Sequence, residues 1–160
     1  MVDIVTITVN YRMADQVIAM LHSLSRDVEG SGLSVQPVIV DNASGDGIAE
    51  RIAREFRGRA PEPIVLAAPG NGGFGSGNNI ALRQCDARYY FLVNPDVVFR
   101  EDHPQVTRRL YDFLEANPEV GMVAPRLQLP NGAMQPSCLR FPSFFDQPVH
   151  RMGLHERYRW

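Results

Sequence analysis

Two cysteines, a single tryptophan and no long apolar run are what this chain of 160 residues has least of. Cys85 and Cys138 stand far apart, neither with a second cysteine nearby, which fits neither a zinc ligand set nor a disulfide framework. A reducing compartment follows. No stretch reaches the roughly 18–20 apolar residues of a membrane span, and Met1-Val2-Asp3 leads into a strand rather than into a signal peptide. The expected location is cytoplasmic, with peripheral attachment at the inner face of a membrane left open. Net charge is small, −2 at pH 7, so no general field draws the chain to nucleic acid. Arg51, Arg54, Arg57 and Arg59 read as the solvated face of a helix and the turn after it. Repeats and low-complexity linkers are absent as well.

What is present suits a globular α/β domain, at 44% hydrophobic and 21% charged residues. Ile4 to Val9 is a β-branched run of the kind buried in parallel sheets, and Val17, Met20, Leu21 and Leu24 then recur at helical spacing. Val35 to Val40 repeats the strand pattern, and Ile48, Ile52, Ala53 and Phe56 the helical one. A third strand spans Ile64 to Ala67, a helix runs from about Ser76 to Cys85, and Tyr89 to Val93 is the next strand. Pro104 opens a helix bearing Val106, Leu110, Phe113 and Leu114 that ends near Asn117-Pro118. Val120 to Leu129 reads as a further strand before the turn Pro130-Asn131-Gly132. The alternation predicts an open, mostly parallel sheet with helices on both faces. The expected division is an α/β domain over residues 1–132 and an irregular tail over 133–160, either a lid, a docking segment or the start of something longer.

In such sheets ligands bind beyond the carboxyl ends of the strands. Four polar clusters fall there: Asn10-Tyr11, Asp41-Asn42-Ala43-Ser44, Asn71 to Asn79, and Asn94-Pro95-Asp96. Taken singly, each is as well explained by a turn or a helix cap, Ser44 or Asp46 being the candidate cap. Together they suggest a diphosphate site. Asp41 can accept an imide N–H from uracil or thymine, with Asn10 and Asn42 nearby as donor and acceptor. Gly72, Gly73 and Gly75 let backbone approach ribose and phosphate, with Asn78 or Asn79 and Asn94 beside them. Asp96 is placed to ligate Mg²⁺ or Mn²⁺. A rival reading exists. Gly70-Asn71-Gly72-Gly73-Phe74-Gly75 satisfies the dinucleotide fingerprint G-x-G-x-x-G, with Asp96 at the end of the next strand, as in a dinucleotide-dependent oxidoreductase.

The blocks Val5 to Tyr11, Val38 to Ser44, Asn71 to Asn79 and Phe91 to Asp96 resemble the inverting family 2 glycosyltransferases of GT-A fold, most closely the rhamnosyltransferase-like branch. The resemblance implies a Rossmann-like open sheet, a dTDP-rhamnose or UDP-sugar donor, a divalent cation and a glycan or lipid-linked acceptor. By the family pattern Asp41 reads the base, Asn10 and the glycine loop line the nucleotide, and Asp96 stands at the metal position. Many members carry two aspartates where this chain has Asn94 and Asp96. Members also continue into an acceptor-binding half that supplies a carboxylate general base, and no such block follows Leu129. Glu101, Asp102 and Asp146 are the acidic candidates taken downstream of Asp96, with Glu156 in the tail, none in the family's context, so no catalytic base is assigned. A non-catalytic nucleotide-sugar-binding module is the corresponding alternative, completed by a partner over the tail. Phe141, Phe144, Phe145 and Trp160 also make a homo-oligomer an expectation.

Overall fold

A computed structural model describes residues 1–136. The expected features on Cys138, Phe141, Phe144, Phe145, Asp146, Glu156 and Trp160 lie outside them. Two units divide the chain, residues 1–123 and 124–160. In the first, β1 (Val2–Asn10), α1 (Ala14–Val28), β2 (Val35–Asp41), α2 (Ile48–Phe56), β3 (Ile64–Ala67), α3 (Gly73–Gln84), β4 (Ala87–Leu92) and α4 (Val106–Ala116) follow one another. The four strands form a parallel sheet in the order β3-β2-β1-β4.

Register sorts the side chains onto two faces. Ile7 lies opposite Val38 and Val9 opposite Val40, and Val5, Ile7, Val38 and Val40 are buried together with Ala81 of α3. The alternate positions Ile39, Val65 and Phe91 face α1 and α2, packing with Val17, Leu21, Leu24, Ile48, Ile52 and Phe56. Helices therefore cover both faces, because residues two apart in a strand share a side while a helix buries every third or fourth residue. Burying a side chain such as Leu24, at 0% exposure, contributes about 1.5–3 kcal/mol.

α4 is fixed to α1 through a buried carboxylate. Asp27, in the last turn of α1, accepts the N–H groups of Val106 at 2.8 Å and Thr107 at 2.9 Å. These are first-turn donors without an intrahelical acceptor. At the other end of α4, Glu115 accepts from Tyr89 Oη at 2.7 Å and from Arg88 on β4.

Two expectations are corrected. Helix α3 begins at Gly73 instead of Ser76, so Gly73 and Gly75 lie in its first turn and not in a bend before it. The strand expected over Val120 to Leu129 shrinks to β5 (Leu127–Gln128), paired antiparallel with β6 (Met134–Gln135) in the second unit. The apolar residues of that stretch are interrupted by Gly121, Pro125 and Arg126, and Pro125 has no N–H to give to a ladder. The turn itself is as expected: the Gly132 N–H donates to the Leu129 carbonyl at 2.8 Å, with Gly132 at φ +83°.

Candidate functional site

All four strands run in the same direction, so their carboxyl ends share one edge of the sheet. β1 leads by way of α1 to β2 on one side, while β4 pairs on its other side, so the strand order reverses between β1 and β4. A crevice opens at such a reversal. Asn10 ends β1, Asp41 ends β2, the Asn71 segment follows β3, and Asn94 to Asp96 follow β4.

Asn10 and Asp41 are paired in the β1–β2 register. The Asn10 side chain is fully buried, at 0% exposure. Its Nδ2 donates to Asp41 Oδ1 at 3.0 Å and lies 2.9 Å from Ser44 Oγ, and its Oδ1 accepts the Met13 N–H at 3.1 Å as α1 begins. Asn10 thus stands behind Asp41, with both ends of its amide engaged. Asp41 Oδ1 also takes the Ser44 hydroxyl and, at 3.4 Å, the Ser44 N–H. Ser44 can fold back this way because Ala43 adopts φ +57°, a left-handed conformation costing an alanine about 1–2 kcal/mol. Asp41 Oδ2 has no hydrogen-bond partner among the described residues.

Asp46 enters the same cluster. Both of its oxygens lie within reach of Asn10 Nδ2, at 3.2 and 3.1 Å, and Oδ1 accepts from Ser44 Oγ at 2.8 Å and from the Ile48 N–H at 3.3 Å. Burial pushes the Asp46 carboxyl up, but hydrogen bonds from Asn10, Ser44 and the Ile48 N–H outweigh it and hold the group below its ordinary value. Its convergence on Asn10 is invisible in sequence, where Asp46 reads only as a helix cap. The cap of α2 is Gly47, at φ +71°.

The glycine segment is fastened to β2 by Asn42. This residue is buried, and its Nδ2 donates to Asn71 Oδ1 at 3.0 Å and to the Gly73 carbonyl at 3.2 Å. Asn71 Oδ1 also accepts the Gly73 N–H at 3.1 Å. Gly72, Gly73 and Gly75 are exposed, at a helix end whose remaining first-turn N–H groups point outward. Asn78 is buried and donates to the Phe74 carbonyl at 2.9 Å. Gly77 is needed for packing, since a Cβ there would lie 2.7 Å from Val9 Cγ1.

Asn94 and Asp96 are exposed on the loop after β4. Phe99 anchors that loop: it is buried, meets Phe91 edge-on with ring centroids 6.0 Å apart, and donates its N–H to Ser23 Oγ at 3.1 Å. Asp96 has no hydrogen bond or ion pair among the described residues, and no bond joins it to the Asp41 cluster. Of the acidic residues farther on, Glu101 pairs with Arg26 at 3.2 Å and Asp102 with Arg100.

The family model for Glycosyl transferase family 2 matches residues 3–145. The chain belongs to that family. Among curated proteins, none matches the chain. Its fold is that of solved GT-A glycosyltransferases. The mannosyltransferase PcManGT from Pyrobaculum calidifontis, solved with GDP-Man and Mn²⁺, aligns with a TM-score of 0.68 at 20% identity, covering 81% of this chain and 36% of that one. TarS of S. aureus, solved with UDP, aligns with a TM-score of 0.59 at 18% identity, covering 82% and 43% respectively. A UDP-GlcNAc complex of TarS aligns equally well, with a TM-score of 0.59 at 18% identity over 81% of this chain and 41% of its own. This family 2 chain thus spans less than half the length of these structures. The dinucleotide fingerprint has a different context here, since its glycines follow the edge strand β3 and not the first strand of the sheet.

Proposed function

We propose that this chain is the donor-binding part of an inverting glycosyltransferase, moving rhamnose or another hexose from a dTDP- or UDP-linked donor to a glycan or lipid-linked acceptor in the cytoplasm. One observation carries the reading: Asp41 is anchored through Oδ1 and keeps Oδ2 unengaged at the carboxyl edge of the sheet. A carboxylate so held is preorganised to accept the imide N–H of uracil or thymine. Asn10 acts through Asp41, aligning it from behind. The exposed start of α3, with Gly72, Gly73 and Gly75, receives the diphosphate, and Asn42 and Asn78 hold that turn in place.

Asp96 is the residue that would hold Mg²⁺ or Mn²⁺, with Asn94 beside it. The fit rests on the hard oxygen donor of Asp96, exposed on the loop after β4; among the described residues no group of three or more His, Cys, Asp or Glu could hold an ion, so the remaining ligands would have to come from substrate phosphates and water, as magnesium commonly takes them. Such a cation, when bound, offsets negative charge building on the departing nucleoside diphosphate. Inversion also needs a base to deprotonate the acceptor hydroxyl. The candidates Glu101 and Asp102 pair with Arg26 and Arg100, and no described residue is assigned as that base. Binding without turnover by this chain is the second reading, favoured by the same observation.

Thermal unfolding tests the proposal. UDP or dTDP with Mn²⁺ should raise Tm while NAD does not, since a ligand that prefers the folded state stabilises it by mass action. Asp41→Ala should abolish most of the gain, and Asp96→Ala only its metal-dependent part. A gain from NAD, or one that survives Asp41→Ala, would overturn the assignment.

A further inference from the structure

We propose that Asp46 is a positioning residue for base selection: it fixes Asn10 and Ser44 so that Asp41 offers a nucleobase one oxygen and not two. This rests on the donor-binding reading above and deepens it.

Asn10 Nδ2 carries two hydrogens, yet Asp41 Oδ1, Ser44 Oγ and both oxygens of Asp46 crowd it at 2.9–3.2 Å. Ser44 Oγ has a single hydrogen and lies within reach of Asp41 Oδ1 and of Asp46 Oδ1. Two carboxylates therefore draw on the same few donors, and neither can turn without releasing what orients the other. Asp46 also ties the cluster to α2, because its Oδ1 takes the Ile48 N–H at the start of that helix. That helix is embedded through Ile48, Ile52 and Phe56, all at 3% exposure or less. Rigidity thus passes from α2 through Asp46 to Asn10 and Ser44, and from them to Asp41.

The consequence concerns which base fits. Uracil and thymine present one imide N–H between two carbonyls, whereas guanine presents two adjacent donors that match both oxygens of a carboxylate. With Oδ1 already engaged by Asn10 and Ser44, Asp41 has one oxygen left for a base. A freely turning Asp41 would offer both. The fold leaves this choice open, since PcManGT was solved with GDP-Man and TarS with UDP.

Isothermal titration of the full chain with UDP, N3-methyl-UDP and GDP, each with Mn²⁺, tests this in the wild type and in Asp46→Ala. Wild type should prefer UDP to GDP, and Asp46→Ala should reduce that preference about tenfold, equivalent to one lost oriented hydrogen bond. N3-methyl-UDP lacks the imide hydrogen and should bind both proteins alike, as a double cycle requires when the contact is already gone. An unchanged UDP-to-GDP ratio in Asp46→Ala overturns the proposal. So does an equal loss of UDP and N3-methyl-UDP, the signature of a merely structural role. If circular dichroism shows Asp46→Ala unfolded, Ser44→Ala carries the same comparison with the same overturning results, and Asp46→Asn, which keeps one accepting oxygen, should restore much of the preference. Wild type binding UDP and GDP equally overturns this inference alone; wild type binding no nucleoside diphosphate overturns the donor-binding reading with it.

Discussion

Ser23 of α1 accepts the Phe99 N–H on its buried hydroxyl at 3.1 Å, which ties the loop carrying Asp96 to a helix far away in the chain. The same hydroxyl donates to the Met20 carbonyl at 2.7 Å, so the side chain cannot swing away without losing both bonds. Ser23→Ala leaves the Phe99 N–H without a partner in a buried setting, a loss of about 1–3 kcal/mol. Urea denaturation should show that loss. Titration should show weaker metal-dependent nucleotide binding with the metal-independent part retained, because Asp96 shifts while Asp41 does not.

Two glycines of α3 should separate packing from ligand approach. A Cβ at Gly77 would meet Val9 at 2.7 Å, whereas none of the surrounding atoms lies within 4 Å of one at Gly75. Gly77→Ala is expected to destabilise by about 1–3 kcal/mol through overpacking. Gly75→Ala should fold normally, helped by roughly 1 kcal/mol of helix propensity, yet weaken UDP binding. Melting curves and titrations of the two variants, run side by side, check both halves.

Asp27 offers a test of how α4 is held. Its two oxygens satisfy the N–H groups of Val106 and Thr107, so Asp27→Ala should cost about 1–2 kcal/mol, as the loss of a helix cap does. Hydrogen exchange at those two amides should accelerate more than exchange in β1. Equal acceleration everywhere would mean that the cap does not act locally.

Acid should loosen the Asp41 cluster through Asp46. The Asp46 carboxyl is held below its ordinary value of 3.8 in the folded protein, burial opposing the shift and the Asn10, Ser44 and Ile48 bonds producing it. A depressed carboxyl contributes stability that is present above the unfolded value and lost as pH falls through the folded one. Wild type should therefore lose stability relative to Asp46→Asn as pH drops below about 4, with the difference constant near neutrality. Denaturation midpoints across that range measure it.

The alternation of β-branched runs with helical periodicity was enough to read βαβα order, the parallel sheet and the edge on which the polar clusters fall, because burial on two faces leaves a period in the residues themselves. Val120 to Leu129 misled for the same reason: its composition suits a strand, but Gly121 and Pro125 interrupt it, and among the described residues only Leu127 and Gln128 of it find strand partners. Which donor meets which acceptor has no such local trace. Asn10 faces Asp41 through the pairing of β1 with β2, and it reaches Asp46 because Ala43 and Gly45 turn the intervening chain back with positive φ. The residue types at the site are thus properties of the chain, while Asn10's burial and Asp46's part in the cluster arise only when segments over thirty residues apart are brought into register.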